Sequence, residues 1–97
     1  MDYMGVAVRL GGNIELFGIE NFDGATLVVL KKIIGNYARK FSEKGLERLI
    51  VSFEPGVVKA EAISQGSAFA GSAEHSNIFF SVDNALKEVE KQLLLPQ

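Results

Sequence analysis

Cationic side chains are concentrated in one stretch of this 97-residue chain. From Lys31 to Arg48 there are six basic and two acidic residues, a net charge of +4, whereas the rest of the chain carries a net charge of −6. Salt limits the field of such a zone to about 10 Å, so it can contact phosphate locally although the whole chain is acidic. A solvated helix face of mixed charge is the ordinary alternative. The pattern leaves both interpretations open.

The sole histidine, His75, lies between Glu74 and Ser76, and these residue types occur in acid–base catalysis. Neighbouring residues in a turn usually point in different directions, whereas catalysis requires side chains that converge on one point. The chain has no cysteine, and one histidine with scattered carboxylates makes a poor zinc site. We therefore expect His75 to be a turn residue, and we expect no enzymatic activity, metal or cofactor.

Length and composition favour a single domain over residues 1–97. Hydrophobic residues make up 47% of the sequence and charged residues 23%, which is typical of a compact globule. The first residues lack the basic and apolar regions of a secretory signal, and no apolar stretch approaches the roughly 20 residues needed to cross a bilayer. The absence of cysteine is compatible with the cytoplasm. We expect a cytoplasmic protein without a membrane span.

The N-terminal part of the chain must supply a strand ahead of the basic zone. Val6, Val8 and Leu10 alternate with smaller or polar residues, which predicts a strand that ends at a Gly11-Gly12-Asn13 turn. Residues 13–22 look like an insertion that holds a short second strand or an irregular extension.

A long amphipathic helix is predicted to begin near Gly24, with Asp23 as its cap, and to stop at Gly45. Gly35, in its middle, is expected to allow close packing on a sheet. Apolar residues at three- and four-residue spacing form its buried stripe: Leu27, Leu30, Ile34, Tyr37 and Phe41. The opposite, mainly basic face carries Lys32, Asn36, Arg39 and Glu43, with Lys40 nearby.

Three strands are predicted to follow the first helix as a meander. Alternation over residues 48–54 predicts a central strand. Pro55-Gly56 favours a type II turn into an antiparallel strand at Val57–Ser64, and Gln65-Gly66 reverses the chain into Ser67–Ala73.

A second helix is predicted to begin at Ser76 or Asn77, either of which can cap it. Its apolar stripe consists of Phe79, Val82, Leu86, Val89 and Leu93. Phe79 and Phe80 are adjacent and cannot both lie at the centre of this stripe. One could pack under the strands while the other is an exposed anchor for a partner, but core packing of both is the main expectation.

The order of these elements predicts an α+β fold: a two-layer sandwich of strand, helix, three-stranded meander and helix. Both helices are expected to cover one face of a mainly antiparallel sheet. The other face is a candidate partner surface, because Ala60, Ala62 and Ala68 could leave it smooth.

The run from Phe69 to Leu93 carries the most specific pattern in the chain. It contains Ser72-Ala73-Glu74, then Asp83, then Gln92-Leu93. This strand-to-helix ending resembles that of the hibernation-promoting factor or ribosome-associated translation inhibitor family. The predicted order of elements is similar to the family's over most of the chain.

The resemblance implies binding to the small ribosomal subunit, in the channel used by messenger and transfer RNA, and inhibition or protection of idle ribosomes. Basic residues of the two helices would contact ribosomal RNA phosphates, with recognition by shape rather than by base sequence. Only Lys91 matches a family position that is usually basic, whereas the other residues follow from helix geometry. The expected RNA-binding residues are Lys32, Arg39, Lys40, Lys87 and Lys91.

A protein-interaction or dimerisation module without RNA binding is the alternative. The net acidity, the apolar end at residues 93–95 and the exposed edges of a small open sheet all favour it. Such a module would form a homo-oligomer through a sheet edge or through the apolar C-terminus.

Overall fold

The computed structural model describes residues 8–94 of the chain. Within that range the sheet has five strands and two helices cover it. The elements are β1 (Val8–Leu10), β2 (Ile14–Phe17), α1 (Gly24–Ser42), β3 (Leu46–Glu54), β4 (Val57–Ser64), β5 (Ser67–Ala73) and α2 (Ile78–Leu94). The predicted α+β class and the order of strand, helix, three strands and helix are confirmed. Val6, which we expected in the first strand, lies outside the described residues.

The strands follow chain order across the sheet, β1-β2-β3-β4-β5. β2 and β3 are parallel, because α1 carries the chain back across the sheet, and the other three pairings are antiparallel. Gly56 has a φ of +77°, as the predicted turn at Pro55-Gly56 requires. Both Gln65 and Gly66 have positive φ, which is the backbone geometry of a tight hairpin turn with right-handed twist. In this strand order β3 is the central strand, and β4 and β5 complete the predicted meander.

The short second strand expected within residues 13–22 is confirmed as β2. Ile14–Phe17 is the strand that pairs with β3, and the ladder begins with a hydrogen bond of 2.9 Å from Leu49 N–H to the Asn13 carbonyl. Ile19, farther along, is buried in the core. The pairing of β2 with β3 was not predicted, because a short alternation gives no sign of a partner strand beyond the long helix.

Both helices lie on one face of the sheet and enclose a single core. The predicted stripe of α1 is buried or packed against that core, and so is the stripe of α2. On the sheet side the core residues are alternate residues of four strands, including Leu16, Val51, Val58 and Phe69. Because both apolar stripes pack in the core, the charged residues of both helices face outward.

Each helix begins at a capping side chain, as the sequence predicts. The Asp23 carboxylate accepts a hydrogen bond of 2.8 Å from Thr26 N–H. Hydrogen bonding to the Thr26 side chain, and then to its backbone N–H, holds the pKa of Asp23 below its usual value. At α2 the Asn77 side-chain oxygen accepts from the N–H groups of Phe79 and Phe80. Asn77, rather than Ser76, therefore fixes where the second helix starts.

The helix that approaches the sheet most closely is α2, not α1. A Cβ at Gly35 would meet no atom within 4 Å, so the expected role of Gly35 in close packing is wrong. A Cβ at Gly71 in β5 would collide with the backbone carbonyl of Ala85 and would lie 2.7 Å from Glu88 Cβ. Ala60 and Ala62 are also buried beneath the helices rather than on the open face where we expected them. Their small size serves close packing on this side of the sheet.

Alanine at these two glycines is predicted to have opposite effects on stability. Gly71→Ala forces α2 away from β5 and should lower the free energy of unfolding by about 1–3 kcal/mol, the usual cost of overpacking. Gly35→Ala adds a methyl group to open space in a helix and should raise that free energy by up to ~1 kcal/mol. Urea denaturation of the two variants measures both values, and an equal effect of the two substitutions would contradict this packing.

Candidate nucleic-acid interface

The outer face of α1 carries a basic row that folding leaves unpaired. Lys32 and Arg39 are exposed, and neither forms an ion pair with a described side chain. They are seven residues apart, which is two helical turns and about 10.5 Å along the axis. Asn36 lies between them on the same face and is also exposed. This arrangement exposes two cations and an amide on one face, which Glu43, also exposed, continues one turn beyond Arg39.

The other three predicted RNA-binding lysines are exposed but paired with acids. Lys40 Nζ lies 3.4 Å from Glu90 on α2 and 5.1 Å from the centre of the Tyr37 ring. On α2, Lys87 lies 3.4 Å from Asp83, and Lys91 lies 3.5 Å from Glu88. All three lysine side chains keep more than half of their surface exposed. Ion pairs of this kind contribute little, so the lysines can exchange their carboxylates for phosphates.

A hydrogen bond from Tyr37 to Asp83 joins the two helices beneath this surface. The Tyr37 hydroxyl donates to the Asp83 carboxylate at 2.7 Å. Burial raises the pKa of Tyr37 well above its usual value, and the hydrogen bond to Asp83 adds to that shift. The hydroxyl therefore stays protonated and keeps the helices in register.

An open groove of about 500 Å³ lies over this contact. Both polar and charged residues of the two helices line it: Asn36, Tyr37, Arg39, Lys40, Glu43 and Asp83. The groove thus brings Arg39 and Lys40 of the predicted site together with Asp83, which is the partner of Lys87. Lys32 lies farther along α1, and Lys91 one turn beyond Lys87 on α2.

The basic zone of the sequence divides between the two sides of the molecule. Arg48 points to the helix-free face of the sheet, where its guanidinium donates to the Glu15 carboxylate at 2.7 Å. This contact raises the pKa of Arg48. Alternation along β3 could have placed Arg48 there, because Leu49 is a core residue. Glu90 was not among the site residues predicted from the sequence. Only the packing of α2 on α1 shows that it lies beside Lys40 and neutralises its charge.

The helix-free face of the sheet is concave and mixed in charge. Its open cavity, about 910 Å³, includes an apolar floor with Phe17 and Ile50. Ion pairs cross it, among them Glu15 with Arg48 and Glu54 with Lys59. Of the three alanines expected there, only Ala68 points to this side. The surface is therefore neither smooth nor basic.

His75 lies in the connection between β5 and α2, as expected for a turn residue. Its Nδ1 accepts a hydrogen bond of 2.9 Å from Asn77 N–H, so one ring nitrogen serves the turn. Among residues 8–94 no group of three or more histidine, aspartate and glutamate side chains is close enough to hold a metal ion.

The two adjacent phenylalanines of α2 have different environments. Phe79 packs against the core, as predicted, whereas Phe80 has 57% of its surface exposed. The expectation of core packing for Phe80 is therefore wrong. Its ring instead contacts His75 edge to face, with the ring centres 5.1 Å apart.

No helix in the described part of the chain is long and apolar enough to cross a bilayer. Comparison with protein-family models and with curated protein sequences gives no match to this chain. Inference about function therefore rests on the residues and their geometry.

The Tyr37 hydroxyl is predicted to stabilise the fold through Asp83. Tyr37→Phe should lower the free energy of unfolding by about 1–2 kcal/mol, because a hydrogen bond to a charged group is lost. In an Asp83→Ala background the same substitution should cost much less, and a double-mutant cycle by urea denaturation measures the difference. Equal costs in both backgrounds would contradict the contact. Because the pKa of Tyr37 is raised, its contribution is complete below the usual tyrosine pKa and declines as the pH rises above it.

Proposed function

We propose that this protein binds ribosomal RNA of the small subunit through the outer surface of its two helices, and thereby inhibits or protects idle ribosomes. The ribosome-bound protein would act in the cytoplasm. The observation that carries the proposal is the unpaired basic row of α1, in which Lys32 and Arg39 face outward two turns apart.

The distribution of charge supports phosphate as the ligand. Residues 24–44, which include α1, hold five basic residues and one acidic residue, whereas the whole chain has a net charge of −2. Positive charge is therefore collected on one helix although the protein as a whole is acidic. Such an arrangement favours a local contact with phosphates and disfavours general adhesion to nucleic acid.

The shape of the surface supports recognition of a folded RNA by its shape rather than by its base sequence. The cations stand on two helices that the Tyr37–Asp83 hydrogen bond holds together. Side chains held on rigid elements can match the positions of backbone phosphates in a folded RNA. The resemblance of residues 69–93 to the hibernation-promoting factor family points to the ribosome as the source of that RNA.

A protein-interaction module remains the second candidate, and the concave helix-free face of the sheet is the feature that favours it. Addition of a strand to β5 is disfavoured, because the Gln92 side chain donates to the Ala70 carbonyl at 2.6 Å. At the C-terminus Leu93 packs on the core, Leu94 is 46% exposed, and Leu95 lies outside the described residues. The sequence predicts two routes to a homo-oligomer. The route through the apolar C-terminus retains one exposed apolar side chain, that of Leu94.

Two lysine-to-glutamate variants test the proposal, because they change the net charge equally on opposite sides of the molecule. Lys32→Glu alters the basic row of α1, whereas Lys59→Glu alters the helix-free face. Co-sedimentation with small ribosomal subunits across a salt series should show saturable binding that Lys32→Glu weakens and Lys59→Glu leaves nearly unchanged. Lys32→Gln should reduce the slope of log K against log salt by about 1, because one phosphate contact is lost.

The outcome of this comparison separates the two candidate functions. Equal loss in the two variants would indicate an effect of net charge alone and would contradict a site on α1. Absence of saturable binding by the unaltered protein at low salt would overturn the ribosome proposal and leave the protein-interaction module.

A further inference from the structure

We infer that Phe80 and His75 form a stacking site for an unpaired base of the RNA that the helices bind. This inference rests on the proposed function, since the lysines of the same helix hold the phosphates. The site lies at the start of α2, where Phe80 is more than half exposed.

The position of Phe80 on α2 places it in line with the lysines. Phe80, Asn84, Lys87 and Lys91 are separated by four, three and four residues, so they share one face of the helix. All four are exposed. Phe80 precedes Lys87 by two turns, about 10.5 Å along the axis. An aromatic ring thus stands at one end of a row whose other members are polar or cationic.

The aromatic pair is held in place by its own loop. The His75 and Phe80 rings meet at an angle of 84° with their centres 5.1 Å apart. Three hydrogen bonds fix the backbone between them: Asn77 N–H to His75 Nδ1, Phe80 N–H to the Asn77 side-chain oxygen, and the Ser81 hydroxyl to the His75 carbonyl. An exposed ring on a fixed turn loses little conformational freedom when a ligand stacks on it.

The polar row beside Phe80 favours a nucleobase over an apolar side chain of a protein partner, although each lysine of the row is paired with a carboxylate in the free protein. Every nucleobase has a flat π-face and carries phosphates on either side, and aromatic rings beside cations bind single-stranded nucleic acid in this way. Lys87 and Lys91 supply those cations once their carboxylate partners are exchanged for phosphates. An apolar protein pocket would gain nothing from the polar row that continues from Phe80.

A single indole provides a direct test, because the chain contains no tryptophan. Phe80→Trp places the only tryptophan at the site, and Ala68→Trp places one at an exposed position of the helix-free face as a control. Titration with a short oligoadenylate should quench the fluorescence at position 80 and leave that at position 68 nearly unchanged. Inorganic polyphosphate, which has no bases, should bind without quenching at either position.

Affinity measurements with the unaltered protein and with Phe80→Ala complete the test. Loss of one stacked base typically costs 1–3 kcal/mol, so Phe80→Ala should weaken oligoadenylate binding by roughly 5- to 150-fold and leave polyphosphate binding within about twofold. Circular dichroism checks that the variant is folded, and Phe80→Tyr should retain the affinity.

The outcomes distinguish this inference from the proposed function. If the unaltered protein binds both polyanions and the small subunit, but Phe80→Ala changes nothing and the indole is not quenched, the stacking site is overturned and the phosphate surface stands. If the protein binds neither polyanion nor the subunit, both proposals are overturned.

Discussion

The position of α2 depends on one close approach between two backbones. A side chain at position 71 of β5 would collide with the backbone of Ala85 in α2. The small buried side chains of Ala60 and Ala62 in β4 also let the helix lie close to the sheet. A helix held this near to the sheet cannot rotate without collision. Its orientation therefore decides that Asp83 meets α1, and that Phe80, Lys87 and Lys91 face outward.

The two helices contribute differently to the electrostatics of the outer surface. On α1 the cations Lys32 and Arg39 have no described acidic partner, whereas both lysines of α2 are opposed by carboxylates of the same helix. In the proposed complex α1 supplies most of the attraction for phosphate. The second helix would fix the orientation of the protein on the RNA. It also carries the exposed ring of Phe80, which phosphate binding does not require.

The sequence predicted the elements better than it predicted the relations between them. Helical stripes, caps and glycine turns depend on neighbouring residues, and nearly all of them appear where local patterns indicated. The role of Ile14–Phe17 depends on pairing with a strand more than thirty residues away, which no local pattern encodes. The same holds for the compensation of Lys40 by Glu90, since it arises from packing between helices. The close approach was assigned to the wrong glycine, because Gly35 and Gly71 differ only in what lies opposite them.

The exposed charge on α1 could be predicted from residue spacing alone, because a helix with one apolar stripe must expose its other residues. Spacing along α2 likewise puts Phe79 on the apolar stripe and Phe80 beside it, so the outward position of Phe80 could have been predicted. The contact of Phe80 with His75 could not be predicted, because it arises from the fold of the connection between β5 and α2.

In the proposed complex the helical layer, and not the helix-free face, contacts the small ribosomal subunit. Acetylation of lysines with and without bound subunits, quantified by mass spectrometry, tests it at each residue. Lys32, Lys40 and Lys87 should become protected in the complex, while Lys59 on the opposite face should react at an unchanged rate. Protection of Lys59 without protection of Lys32 would contradict the claim and would place the interface on the open face of the sheet.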